Sequence, residues 1–301
     1  MRPQLANAVQ LLRNDDRDSI DEAIRLMQNT VYSFSMKVCG HPQDAEDTMQ
    51  EVLMRSLPHL AKIEDPRALA VWLYTVTRNR CWRMRRPAAG APQHMLSLDE
   101  LMPDDAELSR ILEDESASPE QEVLSGEQSE LLRKAVLDLP AKYRIVLVLH
   151  DMEDLDTEQV AKVLGLNAGT VRVRLHRARL AVRRAMAQMA DSAEDPNPTD
   201  SFRAANGQRP KPSKKRPEEC QELFANLSEY VDGRVAPQTC EQMRDHIEAC
   251  PACVAFLRDL RTAIDRCQKL DLPCDEQVSK RLRTLLTREY LRLTDVPSAP
   301  K

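Results

Sequence analysis

One histidine and three cysteines near the C-terminus have the types and the spacing of metal ligands. His246 and Cys250 are four residues apart, on one face of a predicted helix, and Cys253 follows one turn later. Cys220 begins the predicted helix before them and is the natural fourth donor. Structural sites hold Zn²⁺ with four such nitrogen and sulfur donors at about 2.0–2.3 Å. The spacing therefore predicts one closed structural zinc site.

Other uses of these cysteines stay open at the level of sequence. Cys240 could replace Cys220 as the fourth ligand, and thiolates that release zinc on oxidation would make the site a redox sensor. The Cys250–Cys253 pair also has the spacing of a redox dithiol, but such dithiols follow a strand, and none is predicted here. A zinc hydrolase would need an open ligand position and a nearby general base, which four protein ligands do not leave. Structural zinc is favoured.

Residues 154–186 predict a helix-turn-helix that is rich in arginine. Gly165 can take the positive φ that ends the first helix, and Asn167 can cap the second. An apolar stripe of the second helix is expected to face inward: Val171, Leu175, Ala178 and Val182. The opposite side and its edges carry the candidate DNA contacts Thr170, Arg172, Val173, Arg174, His176, Arg177 and Arg179. A solvated arginine face on an ordinary helical hairpin is the alternative, but the turn and the arginines together favour a helix that enters the major groove of DNA.

A second candidate nucleic-acid surface lies in the C-terminal half of the helix predicted over residues 66–86. Basic residues alternate there with an amide and an indole: Arg78, Asn79, Arg80, Trp82, Arg83, Arg85 and Arg86. Cations are favourable at any helix C-terminus, but this mixture goes beyond that need. Guanidinium groups neutralise phosphates, and an aromatic ring can stack on an unpaired base. This helix is therefore predicted to bind nucleic acid in a different way from the helix-turn-helix.

The composition predicts an all-α fold. The 301 residues include only 7 glycines, and aromatic residues make up 4%, which is typical of a chain that is helical throughout. The net charge is −5, so nucleic-acid binding must come from local basic segments. No apolar run of about 18 residues predicts a membrane span, and the first residues lack the apolar segment of a signal peptide. A cytoplasmic protein without membrane contact is expected.

Shifts in composition divide the chain into five predicted segments. They are a helical domain over 1–87, an acidic flexible linker over 88–126, a helix-turn-helix domain over 127–190, a Pro/Lys-rich linker over 191–217 and a zinc-binding helical domain over 218–301. Few apolar residues and a high density of charge indicate the two linkers.

Residues 19–186 resemble a bacterial sigma factor of the extracytoplasmic-function (ECF) type. The resemblance rests on DAEDTMQEV (44–52), PRALAVWLYTVTRNRCWRMRR (66–86), LDLPAKYRIVLVLHDMEDLDTEQVAKVLG (137–165) and TVRVRLHRARLAVRR (170–184), in the order and spacing of the family. It implies that helix 44–60 docks on core RNA polymerase, with contacts from Asp44, Asp47, Gln50, Glu51 and Arg55. It also implies that helix 66–86 melts and reads the −10 promoter element and that helix 168–184 reads the −35 element.

The C-terminal part is similar to the zinc-binding anti-sigma domain. The similarity rests on the pattern Cys-x₂₅-His-x₃-Cys-x₂-Cys, with YVDG inside it, and on a further amphipathic helix over 275–293 in the place of the family's fourth helix. In that family the domain folds against sigma and blocks polymerase. Its fusion to the sigma-like part in one chain implies contact between the zinc domain and the sigma domains, and regulation of the chain by its own C-terminal domain.

Two functions from different classes fit the sequence. The first is a promoter-specificity subunit of RNA polymerase, which has no catalytic site of its own and is tuned by its zinc domain. The alternative is a stand-alone helix-turn-helix regulator with a zinc or redox sensor domain. That alternative explains 154–186 and 220–253 but leaves 44–86 without a purpose. Binding to core polymerase separates the two.

Overall fold

The computed structural model describes residues 3–14, 16–60, 62–83, 95–103, 107, 126–193, 227–234 and 237–294. All the regular secondary structure in these ranges is helical, which confirms the predicted all-α class. None of the helices described there has both the length and the apolar character needed to cross a membrane.

In chain order, the described helices have the following bounds. They are α1 (Pro3–Leu11), α2 (Arg17–Cys39), α3 (Pro42–Leu60), α4 (Pro66–Arg83), α5 (Leu98–Leu101), α6 (Gly126–Leu137), α7 (Ala141–Leu147), α8 (Thr157–Leu164), α9 (Ala168–Ala193), α10 (227–231), α11 (Pro237–Ala249), α12 (Pro251–Lys269) and α13 (Glu276–Thr294). A π-helical turn, Val148–Met152, directly follows α7.

Short-range signals explain where several helices begin and end. The Asp16 side chain caps α2 by accepting a hydrogen bond from the Ser19 N–H, and Gly40 ends the helix with φ 79°. A capping box starts α8, in which the side chains of Asp156 and Gln159 each accept a bond from the backbone N–H of the other. These bonds satisfy N–H groups that have no partner within the helix. The boundaries of these helices are therefore set locally.

The first of two compact units contains α1–α4, residues 144–171 and α13. Within this unit α2 contacts α1, α3, α4, α13 and the π-helical turn. Its buried residues therefore lie on all sides of the helix instead of forming one stripe. They include the polar side chains Gln28, Ser35 and Lys37 as well as apolar ones. Buried polar groups need partners inside the protein, and those partners are described below.

The second unit contains α5, α6, the start of α7, α9 from Arg172 onward, and α10–α12. Apolar side chains from α5, α9, α10, α11 and α12 form its core: Leu101, Leu180, Leu227, Met243, Cys253, Phe256, Leu257, Leu260 and Ile264. The core of this unit therefore joins the arginine-rich helix to the C-terminal segment.

Part of the segment 88–126, which the sequence predicts as a flexible linker, is folded. Residues 95–103 contain α5, which begins with a capping box between Ser97 and Glu100. Leu101 is fully buried in the core of the second unit. Burial of one leucine contributes about 1.5–3 kcal/mol, and composition does not reveal it. The rest of the segment, except Glu107 and Gly126, lies outside the described residues.

Candidate functional site

The helix-turn-helix is formed by α8, a turn and α9. Gly165 adopts φ 66° and donates its N–H to the Ala161 carbonyl. The Asn167 side chain accepts a 2.7 Å hydrogen bond from the Thr170 N–H and so caps α9, as the sequence predicts. The predicted inward stripe is buried: Val171, Leu175, Ala178 and Val182. The turn and the apolar face are therefore built from local signals.

The seven candidate DNA contacts on α9 fall into two groups. Five are exposed or half-buried, with Val173 the most exposed at 57%. These five are Thr170, Arg172, Val173, Arg174 and Arg177. The other two, His176 and Arg179, are buried. The sequence predicts all seven as surface residues, so the burial of these two is a difference that the second unit explains.

Helix α10 and the turn after it bind the two buried side chains. The Arg179 guanidinium makes two hydrogen bonds to the Asp232 carboxylate, at 2.8 and 3.1 Å, and a third to the Ser228 carbonyl at 3.3 Å. His176 Nδ1 lies 2.9 Å from the Ser228 hydroxyl. Burial, followed by the charges of Arg179 and Arg177, lowers the pKa of His176 from 6.5 to about 4. His176 is therefore held neutral, and α10 occupies the edge of α9 that was predicted to contact DNA.

A pH titration should reveal this buried histidine. The unfolded chain takes up a proton near pH 6.5, whereas folded His176 stays neutral down to about pH 4. We therefore expect the unfolding free energy to fall by about 2 kcal/mol more in the wild type than in His176→Gln between about pH 7.5 and pH 5. Urea unfolding at both pH values measures this difference. Equal pH dependence of the two proteins would show that His176 is not buried as a neutral group.

Arg183 is a second buried cation on α9 that the sequence did not single out. Its side chain is completely buried, with ion pairs to Glu107 at 2.7 Å and to Asp259 of α12 at 2.9 Å. Its guanidinium carbon also lies 4.6 Å from the ring centroid of Phe256. A buried guanidinium with two carboxylates and an aromatic face has its charge compensated. Arg183 therefore ties α9 to α12 and to the segment predicted as a linker.

The candidate −10 surface on α4 is partly engaged within the first unit. Asn79 and Trp82 are exposed, whereas Arg78 is half-buried and its pKa is lowered by that burial. The Arg80 guanidinium forms a 2.6 Å ion pair with Glu51 of α3. The remaining candidates, Arg83, Arg85 and Arg86, have side chains outside the described residues. The described part of this surface therefore presents an amide and an indole to solvent.

Helix α3 has one buried and one exposed face, as the sequence predicts. The buried face contains Ala45, Met49, Val52, Leu53, Ser56, Leu57 and Leu60. Of the candidate polymerase contacts, Asp47, Gln50 and Arg55 are exposed, and Asp44 and Glu51 are half-buried. Glu51 also pairs with Arg55 at 2.8 Å, in addition to its bond with Arg80. Three of the five candidate contacts are therefore open to a partner.

The C-terminal helix α13 packs on α2 and α3 within the first unit. Ser279 lies against Gln28, with hydrogen bonds of 3.2 and 3.3 Å between the two residues. Asp21 accepts a 2.9 Å bond from the Thr287 hydroxyl and forms a 3.0 Å ion pair with Arg283. These polar bonds hold α13 in one register on α2.

A fully buried ion pair links the loop after the π-helical turn to α2 and α4. The Lys37 ammonium lies 3.0 Å from one carboxylate oxygen of Glu153, and neither side chain is exposed. The Tyr74 hydroxyl donates a 2.7 Å hydrogen bond to the other oxygen. The Tyr74 ring packs on Phe34, with centroids 4.9 Å apart. Three separate parts of the sequence therefore meet at Glu153.

Two of the four predicted zinc ligands have described side chains. Cys250 is half-buried at the N-terminus of α12, and its side chain makes no capping hydrogen bond. Cys253 lies in the first turn of α12, is buried, and donates its N–H to the Cys250 carbonyl at 3.0 Å. Two thiols on one turn fit zinc chemistry. Cys220 and the His246 side chain lie outside the described residues, within which no group of three candidate ligands occurs.

Metal analysis of single-cysteine variants tests the predicted ligand set. Cys250→Ser is expected to lose the zinc, because a hydroxyl is a much weaker zinc ligand than a thiolate. Cys267→Ser is the matched control, since Cys267 is a buried thiol of the same helix but is not a predicted ligand. Zinc per chain, measured by atomic emission after dialysis, should be close to one in the wild type and the control. Retention of the metal by Cys250→Ser would reject this ligand set.

Three families match this chain in separate places. Sigma-70 region 2 matches residues 23–89, sigma-70 region 4 matches residues 129–182, and a zinc-finger family matches residues 220–253. The RNA polymerase sigma-E factor of Streptomyces coelicolor is 30% identical over 162 residues, which cover 52% of this chain and 80% of that protein. The chain belongs to the ECF sigma factors of the sigma-70 family.

Two other relatives show the same extent of similarity to this sigma factor. The ECF RNA polymerase sigma factor SigW of Bacillus subtilis is 24% identical over 184 residues, covering 61% of this chain and 97% of that protein. The ECF RNA polymerase sigma factor SigE of Mycolicibacterium smegmatis is 30% identical over 165 residues, covering 55% of this chain and 60% of that protein.

The matches assign the helices of this sigma factor to its regions. Region 2 contains most of α2 together with α3 and α4, and region 4 runs from α6 into α9. The zinc-finger match begins at Cys220 and ends at Cys253, so it contains all four predicted ligands. The region 2 match gives helices α2–α4 a role that a stand-alone helix-turn-helix regulator would not need. That alternative is therefore not favoured.

Proposed function

We propose that this sigma factor binds core RNA polymerase and directs promoter-specific initiation of transcription, with no catalytic site of its own. The observation that carries the proposal is the presence of both region 2 and region 4, in that order, in one chain. A regulator that only binds DNA needs one reading domain, whereas a specificity subunit needs a polymerase-binding surface and two promoter-reading surfaces. Such a protein acts in the cytoplasm, where polymerase and DNA are.

The two arginine-rich helices are the proposed promoter-reading elements. Helix α9 would read the −35 element through Thr170, Arg172, Val173, Arg174 and Arg177, and the exposure of Arg172 and Val173 supports this. His176 and Arg179 would join them only after α10 leaves. Helix α4 would melt and read the −10 element. Its exposed indole, Trp82, is suited to stacking on an unpaired base.

The outward face of α3 is the proposed contact with core polymerase. Asp47, Gln50 and Arg55 are exposed there, beside Met54, an apolar side chain with 38% exposure. A polar rim around an apolar residue is typical of a protein interface. Asp44 and Glu51 would contribute at the edge of this surface.

The C-terminal segment is proposed to inhibit the sigma part in cis. Two contacts support this: α10 binds candidate DNA contacts on α9, and α13 packs on α2 and α3. The zinc-finger match fits an anti-sigma-like regulatory domain. Zinc bound by Cys220, His246, Cys250 and Cys253 would stabilise α11 and α12, which are short helices with a small core.

Co-elution with purified bacterial core RNA polymerase tests both parts of the proposal. Ser279→Arg places a long cation in the buried contact with Gln28 and should release α13. Arg292→Glu is the control, since its side chain on the same helix is 79% exposed. We expect Ser279→Arg to co-elute at a lower concentration than the wild type, and Arg292→Glu to behave like the wild type.

The possible outcomes of this experiment separate the two claims. Failure of all three proteins to bind polymerase at micromolar concentration would reject the sigma function. Equal binding by all three would support the sigma function and reject inhibition through α13.

A further inference from the structure

Two cysteines of the first unit, Cys39 and Cys81, have their thiols in contact. Cys39 is the last residue of α2 and is half-buried, whereas Cys81 lies in the last turn of α4 and is 4% exposed. Their thiols form a hydrogen bond with each other. Neither residue belongs to the predicted zinc site or to the proposed promoter contacts. The pair therefore has no role in the function described so far.

The surroundings of this pair are polar although they are largely buried. Helices α2, α3 and α4 all pack on one another here, and the hydroxyls of Ser35 on α2 and Thr48 on α3 contact the Cys81 thiol. The hydrogen bond with Cys39 lowers the pKa of Cys81, and the same bond raises the pKa of Cys39. Two coupled thiols lose their first proton more easily than their second. The pair therefore favours a state with one thiolate, which is the reactive form of cysteine.

We propose that Cys39 and Cys81 form a reversible disulfide in response to hydrogen peroxide. The first thiolate attacks one peroxide oxygen, breaks the O–O bond and becomes a sulfenic acid, and the other oxygen leaves as water. The second thiolate attacks that sulfur, forms the S–S bond and displaces the hydroxyl group as a second water. Two electrons and two protons pass from the thiols to the peroxide. A dithiol reductant returns both thiols by exchange.

The disulfide would join the C-terminal ends of α2 and α4. Cys81 lies between Arg80 and Trp82, so the new bond fixes the turn that carries both side chains. Because α4 is the proposed −10 reading helix, oxidation would act on promoter melting. This consequence rests on the proposed function, whereas formation of the disulfide does not.

Peroxide treatment of the full chain, followed by alkylation and peptide mapping, tests the proposal. We expect a peptide pair joined through Cys39 and Cys81 as the main product, and its disappearance after dithiothreitol. Cys274 is an internal reference, because burial, Glu46 and Asp275 raise its pKa to about 11. It should remain alkylated as a free thiol. Mapping identifies the bonded cysteines, so oxidation of Cys250 or Cys253 does not confuse the result.

The indole beside Cys81 reports the change without polymerase. The chain has two tryptophans, so Trp72→Phe leaves Trp82 as the only one. Peroxide should shift its emission reversibly in this background, and Cys39→Ser should abolish the shift, whereas Cys274→Ser should keep it. The proposal is overturned if Cys39 and Cys81 stay alkylated while Cys274 reacts, or if Cys39→Ser leaves the shift intact. Neither result depends on sigma activity, so failure here is distinct from failure to bind polymerase.

Discussion

Replacement of Lys37 by methionine is expected to destabilise the protein by about 3–5 kcal/mol, because it leaves the Glu153 carboxylate buried without its cation. Both side chains of this ion pair are fully buried, and their charged atoms are 3.0 Å apart. The Tyr74 hydroxyl, at 2.7 Å, does not replace a full positive charge. The loss should appear as a lower denaturant midpoint in urea unfolding of the full chain.

A second substitution separates the charge from the packing. Lys37→Met with Glu153→Gln removes both charges but keeps an acceptor for Tyr74, so most of the lost stability should return. Arg25→Met is the matched control on the same helix, where the Arg25–Glu22 pair is about 40% exposed on both sides. An exposed pair of this kind contributes about 0–1 kcal/mol. If Lys37→Met costs no more than Arg25→Met, the buried pair is not present in solution.

Replacement of Asp232 by alanine is expected to raise the affinity of the full chain for promoter DNA at least tenfold. Asp232 accepts two hydrogen bonds from Arg179, whose side chain is only 2% exposed. Truncating one partner of such a pair typically costs about 2–5 kcal/mol, which favours release of α10 from α9. If the released form is the one that binds DNA, the apparent dissociation constant falls in proportion to its population.

Fluorescence anisotropy with a labelled −35 duplex measures this change. Asp245→Ala is the control, because Asp245 is an exposed aspartate on α11 and removes the same charge from the C-terminal segment. A gain in both variants would indicate a general charge effect, and a gain in neither would mean that α10 does not limit access to α9. Arg179→Ala should release α10 as well but lose a predicted DNA contact, so its gain should be smaller.

Local features of the fold and of the candidate sites were readable from the sequence. The glycine at 165, the cap at Asn167 and the apolar faces of α3 and α9 follow from interactions within a few residues, which helical periodicity records directly. The sigma-like motifs and the spacing of the zinc-finger pattern are also local. They led to the family and to the reading helices before any coordinates were known.

Only the tertiary structure decided which polar residues are buried and what they bind. Lys37 and Glu153 are 116 positions apart, and His176 lies 52 positions from Ser228. Spacing carries no signal for such pairs, and an arginine at the edge of a helix is expected in solvent until a distant carboxylate covers it. The acidic composition of 88–126 likewise hides Leu101, whose burial needs a pocket made by helices from four other parts of the chain. Residue types and local spacing therefore determined the helices and the family, whereas long-range burial decided which of the reading residues are free.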